Sequence, residues 1–428
     1  MKINPNFAKL PEHLIKEVSL PEMIDVACRH SVKKLESPQN TLREELEKSS
    51  LKTKIKPGSR IAVTAGSRGI NNIGKLLRII CDEVKKMGGK PFLVPAMGSH
   101  GEGTVKGQKE ILTSLGITEK EINVPVISSN ETVKLTENSN GIHVFFDKES
   151  FYSDGIIVVN RIKPHTDFES VIESGLLKML AVGLGRDKGA EQIHRDGIKG
   201  MKKRIPQIGK FIIKRTPVIL GIGIVESSIG ETAIIEAIQP EEIEKREKEL
   251  LKTAKKISTK LPFREIDLLI VDEIGKDVSG TGLDTNVIGR RMLYGEKNPK
   301  EPKITRIAAL DLTDESHGNA AGLGLVDVIT ERLFNKIDFN SFYFNTLTST
   351  FIERGKIPVV LPSDEAAIKV GLSTSWVNDY RDAKVVRIKN TLSLNKIAVS
   401  RSLFEKNNDI ISEGKFYMLN FNRKGNLF

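Results

Sequence analysis

The sequence predicts an α/β protein with two domains, each built on a mainly parallel sheet. The chain has 428 residues, of which 39% are hydrophobic and 28% charged, a balance that suits two ordinary globular cores. Apolar runs of strand type alternate with amphipathic helical segments along most of the chain. A charged helical segment, about 240–260, separates two such series. We therefore predict an N-terminal cofactor-binding catalytic domain at 1–262 and a C-terminal α/β domain at 263–428, with an active-site cleft between them.

The N-terminal series begins with a strand-helix-strand unit. Residues 60–66 form a short apolar run, and 71–88 place apolar side chains at three- and four-residue steps, which predicts an amphipathic helix. Gly88-Gly89 ends that helix, and 91–97 supply the next strand. Such a unit requires parallel pairing with a right-handed crossover. Further buried strands are predicted at 154–160 and 217–225.

The C-terminal series has four predicted strands, at 266–271, 306–311, 357–361 and 384–388. Polar, glycine-rich segments that would reach the cleft lie at 272–273, 279–286 and 314–319. His317 is interpreted as a satisfied loop histidine, with a role as a third proton-transfer group left open. Trp376 either caps the site or fills the core, and the sequence does not decide between these.

The cysteine count and the absence of long apolar runs predict a cytoplasmic protein. Cys28 and Cys81 cannot form a disulfide framework, and they fit a reducing compartment. No apolar run reaches the roughly 18 residues that a membrane span needs. The first seven residues lack the apolar core of a signal peptide.

The formal charge of +11 raises the question of nucleic-acid binding, which the pattern disfavours. Lysines alternate with glutamates in 242–252, which predicts a solvated helix face. The densest basic stretch, 199–215, has little aromatic interleaving, and aromatics are only 5% of the chain, too few for base stacking. We predict small anionic ligands and no nucleic-acid or membrane partner.

Five side chains carry the chemistry of the N-terminal half: Arg68, His100, His165, Lys178 and His194. A lysine and histidines in glycine-rich surroundings can hold a cofactor covalently, ligate a metal and move protons. Three of the five follow predicted strands, where parallel sheets present ligand sites. Each alone has an ordinary interpretation as a surface, cap or solvent-facing residue. Their combination favours a functional site.

In the order and spacing of these motifs the N-terminal half resembles the nickel-pincer lactate racemases and their relatives. Arg68 ends Thr64-Ala-Gly-Ser-Arg68, and His100 ends Gly98-Ser-His100. His165 precedes Ser174-Gly-Leu-Leu-Lys178, and His194 follows sixteen positions after the lysine.

The resemblance implies a racemase or epimerase that inverts C2 of a lactate-like 2-hydroxy acid by reversible hydride transfer. The implied cofactor is nickel(II) pyridinium-3,5-bisthiocarboxylic acid mononucleotide, the nickel-pincer nucleotide. It implies that Lys178 binds the cofactor covalently, that Ser67, Arg68 and Ser174 contact it, and that His194 ligates nickel. His100 and His165 would be the two proton-transfer groups, one for each enantiomer. Cofactor-biosynthesis proteins would be the partners that load it.

The sequence also departs from the lactate enzymes. Ala65 stands where they carry an aspartate, and the segment between His165 and Lys178 is about three residues longer. Gly175-Leu-Leu replaces the usual Gly-Gly, and Gly-Glu-Gly follows His100 in place of Arg-Pro. We therefore predict the class of 2-hydroxy acids and leave the individual substrate open.

Two other classes of function compete with this one. A non-catalytic nucleotide- or metal-binding protein would use the same pocket without the proton-transfer pair. A hydrolase or an NAD-type dehydrogenase is disfavoured, because neither a Gly-x-Ser-x-Gly elbow nor a Gly-x-Gly-x-x-Gly fingerprint is present. Residues 183–189 resemble a phosphate loop but lack its Gly-Lys-Ser/Thr ending; their backbone amides remain candidates for holding a phosphate.

Overall fold

The computed structural model describes residues 13–28, 33–135 and 143–428, and the chain divides into two compact units. One unit is Ser31–Ser258, and the other joins Met1–His30 to Thr259–Phe428. This differs from the predicted division into 1–262 and 263–428. The difference at the N-terminus arises because the strand Met23–Cys28 pairs with two strands near the C-terminus.

The strands of the described residues, in chain order, are β1 Met23–Cys28, β2 Arg60–Ala65, β3 Lys90–Pro95, β4 Thr132–Leu135, β5 Val144–Asp147, β6 Gly155–Arg161, β7 Val218–Glu226, β8 Thr232–Ile238, β9 Glu265–Ile274, β10 Lys303–Leu312, β11 Val328–Thr330, β12 Val359–Leu361, β13 Val385–Ile388, β14 Lys396–Ser400 and β15 Ile410–Ser412. The α-helices are α1 His13–Lys16, α2 Pro38–Lys48, α3 Leu51–Lys54, α4 Ile73–Lys86, α5 Val105–Ser114, α6 Glu119–Ile122, α7 Lys148–Phe151, α8 Leu176–Lys178, α9 Arg186–His194, α10 Gly197–Arg215, α11 Ile243–Ile257, α12 Glu331–Asn335, α13 Phe339–Ser349, α14 Asp364–Ser373 and α15 Arg401–Phe404. A π-helical turn, Met179–Gly183, follows α8 directly.

The unit Ser31–Ser258 is built on a five-stranded sheet in the order β3-β2-β6-β7-β8. The first four strands are parallel, and β8 returns antiparallel to β7. The chain passes from β2 outward to β3 and then crosses back to β6, so the strand order reverses between β2 and β6. In open parallel sheets, ligands bind outside the carboxyl ends of the strands at such a reversal. The predicted α/β class with mainly parallel sheets is confirmed.

The strand-helix-strand unit forms for the reasons that its sequence indicates. The apolar stripe of α4 includes Leu76, Leu77, Ile80 and Val84, all fully buried. Burying each such side chain contributes about 1.5–3 kcal/mol. The Gly88-Gly89 pair ends the helix, with Gly88 at φ +83°, in the left-handed region where glycine is least strained. The carboxyl ends of β2 and β3 are thereby fixed side by side.

The second unit is built on an eight-stranded sheet in the order β12-β11-β10-β9-β13-β14-β1-β15. The strands from β12 to β13 are parallel, and the last three pairings are antiparallel. All four strands predicted for this part of the chain are present. No helix in the described parts of either unit combines the length and apolarity needed to cross a membrane.

Candidate functional site

Three loops at the carboxyl ends of parallel strands carry predicted site residues. Ser67 and Arg68 follow β2, His100 follows β3, and His165 follows β6. Because β2 lies between β3 and β6 in the sheet, the three loops are neighbours. The point of strand-order reversal lies between the β2 and β6 loops, where geometry favours a ligand.

His165 and Lys178 are in direct contact. His165 Nε2 lies 2.6 Å from Lys178 Nζ, a short hydrogen bond between a buried ring and a partly buried amine. The ring also stacks on Phe168, with centroids 4.3 Å apart. Lys178 is the last residue of α8 and precedes the π-helical turn, a distortion that often marks functional sites.

The partners of the His165 ring determine which nitrogen carries the proton. The Asp167 backbone N–H donates to Nδ1 at 3.1 Å, so Nδ1 holds a lone pair and the neutral ring has its proton on Nε2. When Lys178 is a neutral amine, its Nζ accepts that proton; the charged amine has no lone pair and could not accept it. Asp167 Oδ2 lies 3.7 Å from Nδ1 and would be the counter-ion if the ring became doubly protonated. Asp167 therefore binds the neutral imidazole through its backbone N–H and would stabilise the charged imidazole through its carboxylate.

Electrostatics in this region also favour a neutral Lys178. Burial lowers the pKa of the Lys178 amine to about 8, the nearby Arg68 charge acts in the same direction, and Asp167 opposes both. An ordinary lysine has a pKa of about 10.4. At neutral pH Lys178 is therefore unprotonated far more often than a surface lysine, which makes it a nucleophile.

His194 completes the cluster at the end of α9. Its Nδ1 donates to the Ala190 carbonyl oxygen at 2.7 Å, which leaves a lone pair on Nε2. Burial lowers the pKa of the ring, and Lys178 lowers it further. A neutral imidazole with one nitrogen fixed by a backbone carbonyl is the form in which histidine ligates metals.

His100 and Ser67 are hydrogen-bonded to each other through Nδ1 and Oγ. The His100 side chain is exposed, in contrast to that of His165. Arg68 follows Ser67 and acts electrostatically on Lys178, so the β2 loop links His100 to the lysine. Lys178 therefore contacts His165 and interacts electrostatically with Arg68 and His194. His100 is connected to them through Ser67, the residue before Arg68.

Ser174 closes the loop that carries His165. Its backbone pairs with that of Lys163, with N–H to oxygen distances of 3.0 and 3.3 Å. Its role in binding a cofactor remains a prediction. Beside it, the buried Glu173 carboxylate accepts from the His165 backbone N–H at 2.6 Å and pairs with Lys255 of α11 at 2.6 Å.

The segment 183–189 has a structural role that the sequence did not indicate. Arg186 is fully buried, donates to both Asp147 and Gln108, and anchors the start of the helix that ends in His194. The amides of Leu184 and Gly189 donate to helical carbonyls, so these two are already used within the fold. They are not open to a phosphate.

The charged helix α11 is not the wholly solvated face predicted for 242–252. Glu247 is fully buried, and its Oε2 accepts from the Leu177 N–H at 2.9 Å. Glu247 falls on the apolar stripe between Ile243 and Leu251, four residues from each. A glutamate on the apolar stripe of a helix is the sequence signal that could have identified Glu247 as a buried residue.

Two residues considered in the C-terminal part lie at its surface. Trp376 is 82% exposed, with the Arg306 guanidinium 4.7 Å from its ring centroid, so it does not fill the core. His317 is exposed and ends a short helical turn at φ +47°.

The donor set fits a metal that brings most of its own ligands. Within residues 13–28, 33–135 and 143–428, no three His, Cys, Asp or Glu side chains converge as a metal-binding group. His194 offers one imidazole, and Lys178 offers a nucleophilic amine beside it. The pair suits a cofactor that attaches through the amine and carries a metal with one position left for a histidine.

Comparisons with known proteins find a family-model match for part of the chain and a similar fold. Residues 9–200 match the family model of the lactate racemase N-terminal domain. The fold is similar to that of the lactate racemase apoprotein from Thermoanaerobacterium thermosaccharolyticum, at 13% identity and a TM-score of 0.50, over 90% of this chain and 96% of that one. No curated protein matches the sequence.

Proposed function

We propose, from the lactate racemase N-terminal domain that residues 9–200 carry, that this protein racemises or epimerises 2-hydroxy acids with a nickel-pincer nucleotide bound to Lys178. The observation that carries the proposal is the 2.6 Å contact between His165 Nε2 and Lys178 Nζ. The contact joins an amine whose pKa burial lowers and an imidazole that could act as an acid or a base, near the carboxyl edge of the sheet.

Lys178, His194 and the β2 loop would hold the cofactor. The Lys178 amine would form the covalent bond, and His194 Nε2 would fill a nickel position. Ser67, Arg68 and Ser174 would complete the contacts, Arg68 by charge and the two serines by hydrogen bonding. When bound, the pyridinium ring of this cofactor supplies a hydride acceptor for C2 of the substrate.

The protein's own contribution is proton transfer and orientation. With the cofactor attached, the ring proton of His165 would move to Nδ1, on the side of the Asp167 carboxylate, so that Nε2 could take the hydroxyl proton of one enantiomer. The Asp167 carboxylate would then be the counter-ion to the charged ring. His100, with Ser67 on its Nδ1, would serve the other enantiomer. The positive charge of Arg68 suits the carboxylate of a 2-hydroxy acid.

Covalent attachment would also change what His165 can do. A free amine at Nζ accepts the ring N–H, whereas an acylated nitrogen is no longer a good acceptor. The loaded protein would therefore release His165 Nε2 for the substrate hydroxyl. His165 in this proposal first orients the lysine and then acts on the substrate.

The test is expression in a host that makes the cofactor, followed by peptide mass analysis, nickel determination and chiral analysis of a panel of 2-hydroxy acids. A mass adduct on the Lys178 peptide, nickel and racemisation are expected together. K178A should lose all three, and K199A, an exposed lysine on α10, should lose none. An unmodified Lys178 in active protein would exclude the attachment, and bound nickel without turnover of any panel member would favour the non-catalytic alternative.

A further inference from the structure

Helix α11 is connected to both members of the His165–Lys178 pair through intervening groups. Lys255 Nζ lies 2.6 Å from Glu173 Oε1, and the other Glu173 oxygen accepts from the His165 backbone N–H. Two turns earlier on the same helix, Glu247 reaches α8, which ends in Lys178. The helix itself contributes no group that contacts the amine.

The Glu247 carboxylate caps the turn that bears the lysine. Its Oε2 accepts from the Leu177 N–H at 2.9 Å, and the Leu176 N–H is also hydrogen-bonded to this carboxylate. The first amides of a helix have no intrahelical acceptor, and in this buried setting Glu247 supplies one.

Gly175, the residue before α8, lies directly against the Glu247 carboxylate. A Cβ built on Gly175 would lie 2.3 Å from Glu247 Oε1, far inside van der Waals contact. Gly175 has φ 178°, which any residue adopts, so the close approach of the carboxylate and not the backbone conformation requires glycine here. Burial raises the pKa of Glu247 to about 7, although the hydrogen bonds from the Leu177 and Leu176 amides act to lower it.

We propose that Glu247 is a positioning residue: by capping α8 it holds Lys178 against His165 Nε2 and so keeps the amine reactive. This rests on the proposed function only in assigning Lys178 the covalent role. The contribution of Glu247 is an acceptor oxygen, so glutamine should replace it and an apolar side chain should not.

The test measures acylation of the apoprotein by N-hydroxysuccinimidyl acetate at pH 7.5. Rates at Lys178 and Lys199 are compared in one sample by peptide mass spectrometry. With a pKa of about 8, roughly a quarter of Lys178 is neutral at this pH, against about one in a thousand for an ordinary lysine. E247L should lower the Lys178 rate about tenfold or more relative to Lys199, and E247Q should stay within about twofold of wild type. E244Q, at a partly exposed position of the same helix, is the matched control and should change nothing.

A folded E247L protein with wild-type acylation of Lys178 would overturn the proposal, even if its melting temperature fell. If E247L does not fold, G175A displaces the carboxylate instead and should lower the rate in the same way; a wild-type rate in G175A would overturn the proposal. The mass adduct of the loaded protein tests the proposed function separately. An adduct with an unaffected E247L rate removes only the role of Glu247.

Discussion

His165 Nε2 donates its proton to Lys178 Nζ, because the Asp167 backbone N–H occupies the other ring nitrogen. The donor of the pair is therefore the histidine, and the lysine is the acceptor. This hydrogen bond therefore favours the neutral lysine, the form that burial also favours by lowering the pKa of the amine to about 8.

The first prediction concerns this hydrogen bond. H165A removes the donor and admits water beside the amine, so the pKa of Lys178 should rise from about 8 towards the value of an ordinary lysine. The pH midpoint of Lys178 acylation in the apoprotein measures this shift. H100A is the control, since the His100 ring hydrogen-bonds to Ser67. Equal midpoints in H165A and wild type would show that His165 does not govern the amine.

The second prediction concerns His194. H194A removes one imidazole but only one hydrogen bond, made within its own helix, so the fold should keep its stability within about 1 kcal/mol. The loaded variant should lose nickel or bind it loosely while keeping the Lys178 adduct. Nickel analysis and peptide mass separate these effects. Unchanged nickel content together with unchanged activity would show that a residue other than His194 ligates the metal.

The third prediction concerns the two proposed proton-transfer groups. Each enantiomer uses a different histidine, so H100A and H165A should each slow racemisation about 10²–10⁴-fold in both directions. Single-turnover mixing with one enantiomer should show opposite stereochemical preferences for the two variants. H317N, which keeps a residue tolerant of the left-handed conformation, should leave the rate unchanged. Identical preferences in H100A and H165A would contradict the two-histidine mechanism.

The fourth prediction concerns the buried ion pair below α9. R186A leaves the Asp147 carboxylate buried without its partner, which should cost about 3–5 kcal/mol of unfolding free energy. Urea denaturation gives the value. R195A, at the exposed end of the same helix, should cost less than about 0.5 kcal/mol. A similarly small loss in R186A would show that the buried ion pair does not stabilise the fold as proposed.

The fifth prediction is a pH dependence of stability. The pKa of Glu247 is raised from 4.5 to about 7 in the folded protein, so the folded state binds the proton more tightly than the unfolded state. Stability from this group is present below pH 4.5 and is lost as pH rises through about 7. E247Q does not titrate, and its stability relative to wild type should increase by up to about 3 kcal/mol between pH 4.5 and 8. A constant difference across this range would contradict the raised pKa.

The sequence predicted the parallel core and the cluster of functional residues because both depend on local patterns. The stripe of α4 and the motif spacing around Lys178 and His194 are readable without tertiary information. Glu247 and Arg186 were not identified, because their roles depend on distant partners. Glu247 caps a turn seventy positions earlier in the chain, and Arg186 pairs with a residue thirty-nine positions earlier. Sequence spacing does not record such contacts.

The place of β1 in the eight-stranded sheet has a consequence for how the protein is made. Ala27 pairs with Lys396 on one side and with Ile411 on the other, so this strand leaves the ribosome with both neighbours still unsynthesised. The five-stranded sheet around His165 draws all of its strands from within Ser31–Ser258. During translation, the five-stranded sheet of the proposed catalytic site should therefore form before β14 and β15, the two strands that pair with β1, have been synthesised. A nascent chain stalled soon after residue 258 would already contain every strand of the sheet that presents Lys178.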